Sequence, residues 1–113
     1  MLEYCMRIGE IMGERGEDIE EFMSDRDYQE LCAWQLSQIG EASSQVDSMF
    51  KGRYPEVEWQ EAVKFRNVLI HNYGNIDLSL VWFAMVEDIP TLRKQCERII
   101  LENEDEWMNA RRD

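Results

Sequence analysis

Within residues 66–73, RNVLIHNY, a guanidinium, a carboxamide, an imidazole and a phenol fall inside about two helical turns. Arg66 can grip a phosphate through parallel N–H donors. His71 is the only histidine among the 113 residues, and imidazole is the group best suited to moving a proton near neutral pH. Asn67 lies one turn before His71, so the two side chains are i,i+4 neighbours. No cysteine or carboxylate stands in ligand spacing to His71, which argues against a catalytic transition metal. Spacing leaves magnesium held by carboxylates open. A fixed cation beside a proton carrier is the minimum set for cleaving a phosphodiester with its own 2′-hydroxyl. The plainer reading is a solvated histidine next to an arginine with a structural partner.

On a helical wheel at about 100° per residue, Arg66 occupies the middle of an apolar stripe. Trp59, Val63 and Ile70 lie on one side of it, Ala62 and Leu69 on the other. A guanidinium there is costly to desolvate unless something pairs with it. One solution is an internal ion pair, with Glu41 as the candidate partner. The other is a charge facing a cleft or dimer groove, where it receives a phosphate. Arg66 and His71 diverge by about 140° on an ideal helix. They converge if Arg66 uses its full reach, if the helix distorts at its end, or if two copies face each other across a two-fold axis. Two copies would also supply both an acid and a base.

The elements that must position these groups read as helices. Apolar periodicity runs along almost the whole chain, and no stretch alternates as a strand does. A first helix is predicted over 2–13, with Leu2, Cys5, Met6, Gly9 and Met12 on its stripe and Gly13 and Gly16 closing it. Residues 17–23 add a short turn. Ser24 or Asp25 caps a long second helix in which Tyr28, Cys32, Leu36, Ile39, Ser43, Val46 and Phe50 recur at helical spacing. Gly40, Ala42 and Ser43 in it are small enough to admit a neighbouring helix. Residues 51–58 contain Gly52 and Pro55 and read as a loop. The third helix runs from Glu58 or Trp59 to about His71, and 72–76 is a turn. Asp77 caps a short fourth helix; Asp88 caps the last, with Pro90 in its first turn. The expected architecture is all-α, a four- to five-helix up-and-down bundle forming a single domain over 1–113, with an acidic tail from about 102.

Composition narrows the function classes. Twenty-four acidic against 12 basic residues give a net charge of −12, which disfavours duplex DNA and acidic membranes as partners. The charge is uneven, since 51–71 carries four bases (Lys51, Arg53, Lys64, Arg66) against three acids, while 1–30 carries ten acids against three bases. Three scattered cysteines, Cys5, Cys32 and Cys96, read as core residues rather than a disulfide or zinc framework. The first residues lack a basic and an apolar segment of a secretory signal, and no apolar run is long enough to span a bilayer; a cytoplasmic protein with no membrane contact is expected. Trp34, Trp59, Trp82 and Phe83 exceed what so small a bundle can bury, which predicts a homodimer.

The pattern Arg66-x4-His71-x-Tyr73 resembles the HEPN family, specifically its HepT-like ribonuclease toxins. The resemblance covers about residues 1–101 and includes the IGEA run Ile39–Ala42 opening IGEASSQVDSMF, then Ile76-Asp77, Val81-Trp82 and Asp88-Ile89-Pro90. It implies an all-helical homodimer whose two motifs share a cleft, a metal-independent endoribonuclease without cofactor. Arg66 would stabilise the phosphorane charge, His71 would move the proton, and Asn67 would orient RNA or His71. Tyr73 would be the acceptor that a minimal nucleotidyltransferase antitoxin modifies with AMP, with acidic residues 14–30 as the antitoxin contact. The chain begins without the lead-in usual in that family, so an upstream start is an expectation. Two alternatives stand beside this reading. One is a non-catalytic module that binds a nucleotide or a nucleotidyltransferase; the other is a structural dimer in which Arg66 is only an ion pair.

Overall fold

The computed structural model describes the backbone of residues 1–112 and the side chains of residues 1–104. The helices are α1 (Leu2–Arg15), α2 (Ile19–Met23), α3 (Arg26–Gln45), α4 (Ser48–Arg53), α5 (Trp59–Asn72), α6 (Leu78–Phe83) and α7 (Ile89–Arg112). A 3-10 turn (Tyr73–Asn75) follows α5, and a π turn (Ala84–Asp88) joins α6 to α7. There is no strand among the described residues, so the all-α bundle stands. Helix α3 is its centre: α5 packs along it most closely, α1 packs on it from another side, and α7 closes against α1.

Local chemistry explains most boundaries. Asp25, rather than Ser24, caps α3 by accepting from the Tyr28 N–H at 3.1 Å. Asp77 caps α6, accepting from the Ser79 N–H at 2.9 Å and from its hydroxyl at 2.6 Å. Side-chain oxygens there satisfy N–H groups that have no partner within the first turn. Gly16 closes α1 at φ 114°, a conformation open to glycine, with its N–H on the Met12 carbonyl. Its own carbonyl accepts from the Tyr28 hydroxyl at 2.8 Å, tying the end of α1 to α3. Gly13 lies inside the helix and does not close it.

Several expectations are corrected. The buried stripe of α1 is Cys5, Ile8 and Ile11, while Met6 and Gly9 face solvent. The long second helix stops at Gln45: Val46 turns extended, and Asp47 starts α4 by accepting from the Met49 N–H. Lys51, Gly52 and Arg53 are therefore helical, not loop. Asp88 caps nothing. The chain runs from α6 into α7 without a break, and the π turn falls here because Pro90 has no N–H to give to the turn before it and its ring would crowd the carbonyl four residues back. The wider turn absorbs that missing bond, with the Ile89 N–H reaching Ala84 O. The tail set off from about 102 continues as α7 backbone, and its side chains beyond Glu104 lie outside the described residues.

Two apolar clusters hold the bundle. The larger collects Cys5, Ile8 and Ile11 of α1, Tyr28, Cys32, Leu36 and Ile39 of α3, Leu69 of α5, and Val81, Met85 and Ile89 further on. Phe22 of α2 joins it, edge-on to Tyr28 with ring centroids 5.0 Å apart. The smaller cluster holds Tyr54, Val57, Trp59 and Ile99, where the Trp59 indole N–H donates to the Tyr54 carbonyl at 3.0 Å. Cys5 and Cys32 are core thiols, as expected; Cys96 is half-buried. Trp34 and Phe83 remain 62% and 57% exposed. The bundle thus leaves large apolar side chains uncovered, while Trp59 is buried and Trp82 half-buried.

Candidate functional site

Arg66 owes its position to a glycine. At Gly40 of α3 a built Cβ would lie 2.4 Å from the Arg66 Cβ and 2.6 Å from the Ala62 carbonyl oxygen. Only a residue without a side chain lets α5 approach this closely. Ser43, one turn on, is also buried and folds its hydroxyl back onto Ile39 O at 2.8 Å. Gly40, singled out in the sequence with Ala42 and Ser43, is thus the seat of the motif helix.

The Arg66 side chain is 18% exposed and its guanidinium is held at four points. Nη1 donates to Glu41 Oε2 at 2.7 Å and to Ser44 Oγ at 3.4 Å. Nε and Nη2 both donate to Asn67 Oδ1, at 3.2 and 2.8 Å. A guanidinium carries five N–H donors, so one on Nη2 is left over. The internal ion pair expected as the structural solution is present, with the partner named for it. Glu41 is nevertheless half-exposed, and the pair lies beside a groove rather than inside the core.

That groove has a volume of about 530 Å³ and runs between α3 and α5. Glu30, Trp34, Gln38 and Glu41 come from α3; Arg66, Ile70 and Tyr73 come from α5 and its end. Arg66 is at the border of the buried stripe, not its middle as the wheel placed it. Leu69 on one flank is buried, but Ile70 on the other is 60% exposed. The wheel weighed both flanks as core because it could not know which apolar residues lack a covering partner.

Asn67 is engaged with Arg66, not with His71, so its carboxamide fixes the direction of the guanidinium. His71 is exposed, makes no hydrogen bond among the described residues, and does not line the groove. Within one chain the structure therefore brings Arg66, Asn67 and Tyr73 to the groove region and leaves His71 on another face of α5. Tyr73 is half-buried at the first position of the 3-10 turn. Burial, with the nearby Glu30 carboxylate, pushes its phenol above the usual tyrosine range against an opposing pull from Arg26. Among the described residues no three His, Cys, Asp or Glu side chains gather as metal ligands would. Sequence reasoning missed Trp34 and Gln38 as groove residues, although their i,i+4 spacing on the helix facing the motif was a usable signal.

A family model described as Ribonuclease HepT-like matches residues 1–99, which contain the whole groove. The chain belongs to the HepT-like ribonuclease family. Among curated relatives of this HepT-like protein, "Putative RNase MJ1380" of Methanocaldococcus jannaschii is 37% identical over 93 residues, 74% of this chain and 85% of that one. "Probable ribonuclease HepT" of Thermococcus cleftensis is 36% identical over 80 residues, 71% and 73% of the two chains. "Putative RNase TTE0752" of Caldanaerobacter subterraneus is 30% identical over 101 residues, 88% and 90%. No solved structure matches the chain. Among the described residues no helix is long and apolar enough to cross a membrane.

Proposed function

We propose that this HepT-like chain is a metal-independent endoribonuclease, the toxin of a toxin–antitoxin pair, acting in the cytoplasm as a homodimer of single domains. The observation that carries the reading is the Arg66 guanidinium, aimed by Asn67 and seated at the edge of an open groove within a ribonuclease family. A phosphate reaching the groove meets the spare Nη2 donor first. Displacing Glu41 from Nη1 then gives it a two-point grip, because a phosphate's charge competes directly with the carboxylate. Arg66 is thereby suited to the charge that grows on phosphorus, and Asn67 keeps the fork from swinging.

His71 faces away from that groove in its own chain, so it reaches a scissile phosphate from a second copy. Exposed Ile70 beside Arg66, on a flank of α5 that no helix covers among the described residues, favours such pairing. Across the seam His71 of the second copy would take the 2′-hydroxyl proton, letting that oxygen attack phosphorus, and the imidazolium so formed would give the proton to the leaving 5′-oxygen. A minimal nucleotidyltransferase antitoxin would silence the cleft by transferring AMP from ATP to the Tyr73 oxygen, which loses its proton as pyrophosphate leaves; Tyr73 lines the same groove as Arg66, so the added phosphate would meet that guanidinium. Acidic residues 14–30 remain the surface offered to a basic antitoxin.

The test is cleavage of cellular RNA by purified wild type and His71→Ala in chelator. Loss of a proton carrier typically costs about 10²–10⁴-fold, so His71→Ala should be nearly inactive with an unchanged circular dichroism spectrum. Equal cleavage by the two proteins would remove His71 from the chemistry, and loss of wild-type activity in EDTA would reveal a metal. A second reading, the structural ion pair, draws support from the Glu41–Arg66 contact. It predicts that Arg66→Met is at least as stable as wild type and that no RNA is cut by either protein.

A further inference from the structure

Trp34 is the most exposed tryptophan among the described residues, 62% open, and its indole lines the groove that holds Arg66 and Tyr73. A large ring left in water is costly unless something covers it. One turn along α3 stands Gln38, half-buried, lining the same groove, its carboxamide without a hydrogen-bond partner among the described residues. An aromatic face, a free carboxamide and a guanidinium with a spare donor therefore converge on one cavity of about 530 Å³, within the ~300–1,000 Å³ range of small-ligand sites. The two carboxylates in the groove do not oppose an anion at full strength. Glu30 is held by Arg26 at 3.1 Å, and Glu41, on Arg66 at 2.7 Å, is the half-exposed carboxylate that the phosphate displaces toward solvent.

We infer that Trp34 stacks an unpaired nucleobase next to the phosphate held by Arg66, with the Gln38 carboxamide on that base's hydrogen-bonding edge. This rests on the ribonuclease reading above and narrows its substrate to RNA that is single-stranded at the cut. Stacking on an aromatic ring needs a base with a free face, and a paired base in a helix has none to offer. The surrounding acidity works in the same direction: a duplex would press two charged backbones against a chain of net charge −12, whereas one strand places a single backbone along Arg66. Trp34 and Gln38 are binding residues here, separate from the proton chemistry of His71. The single base step they read lies beside the scissile bond, so they would set where the strand is cut.

The experiment uses full-length His71→Ala protein, which holds RNA without cutting it, and a short single-stranded oligoribonucleotide with its blunt duplex as comparison. The single strand should quench tryptophan fluorescence and the duplex should not. Trp34→Phe should abolish the quench while keeping affinity within a few-fold, and Trp34→Ala should weaken binding about 5- to 150-fold. Light scattering on each variant should give one unchanged oligomeric state. Unchanged affinity in Trp34→Ala, equal binding of duplex, or conversion of Trp34→Ala to a smaller species would overturn the inference; the last outcome would assign Trp34 to contact between copies. The two readings fail separately. A wild type that cuts RNA while Trp34→Ala cuts the single strand with the same KM defeats the stacking role alone, and a wild type that cuts nothing defeats the ribonuclease reading.

Discussion

Replacing Gly40 with alanine adds one methyl group at the tightest point between α3 and α5. Its carbon would sit 2.4 Å from the Arg66 Cβ and 2.6 Å from the Ala62 carbonyl, about 1 Å short of ordinary contact. The second neighbour is backbone, so no side-chain rotation relieves it, and α5 must shift by about 1 Å. Overpacking of this kind costs about 1–3 kcal/mol. In a domain of this size that lowers the melting temperature by about 4–12 °C. The same shift moves Arg66 relative to Glu41 and strains their 2.7 Å contact. Misplacing a reacting group by about 1 Å can cost about 10²-fold in rate, so RNA cleavage should fall by that order even where folding is complete. Gly9→Ala is the internal control. Nothing lies within 4 Å of its added carbon on the exposed side of α1, and alanine there should stabilise by about 0.5–1 kcal/mol. Thermal unfolding of both variants, with cleavage measured well below either transition, tests the reasoning. A Gly40→Ala protein that melts at or above wild type would refute it.

Asp88 supplies a pH test. Partial desolvation of a side chain that still meets solvent, then Glu87 and Glu58, raise its carboxyl above the ordinary 3.8. The folded chain binds that proton more tightly than the unfolded chain, so stability declines as pH rises from 3.8 through the raised value. Asp88→Asn should consequently melt above wild type at pH 7, with the difference closing below about pH 3.8; a lower melting point at neutral pH would contradict the assigned cause. Tyr73 offers a mass measurement. Co-expression with a minimal nucleotidyltransferase should raise the intact mass by whole AMP units, and Tyr73→Phe should abolish the gain; a gain that persists would place the modification elsewhere.

The elements that sequence revealed best are those governed by local chemistry. Asp25 and Asp77 cap where a short acceptor precedes an apolar period, and the α3 stripe from Tyr28 to Ser43 is buried as its spacing predicts. Gly40 was legible as a close-approach residue because small side chains on a core helix have few other uses. What failed depended on bonds or neighbours that periodicity does not encode. Asp47 interrupts a stripe that still reads as helical through Phe50, since a cap changes backbone direction without changing the pattern. The Asp88–Pro90 pair looks like a start signal, yet a π turn lets the helix pass through it. At the site, Glu41 was identifiable as a partner for Arg66, whereas the pair of hydrogen bonds from the guanidinium to Asn67 Oδ1 depends on a rotamer, not on spacing. The divergence of Arg66 and His71 was visible on the wheel and persists in the fold.

The unbroken run from α6 through the π turn into α7 has a consequence for how the molecule comes apart. Val81, Met85 and Ile89 of that run enter the larger apolar cluster, Ile99 enters the smaller, and Leu92 packs against both. Neither cluster can therefore loosen without bending a continuous rod that the other still grips. The most protected amides at the two ends of the bundle should exchange with solvent through one shared opening event rather than two.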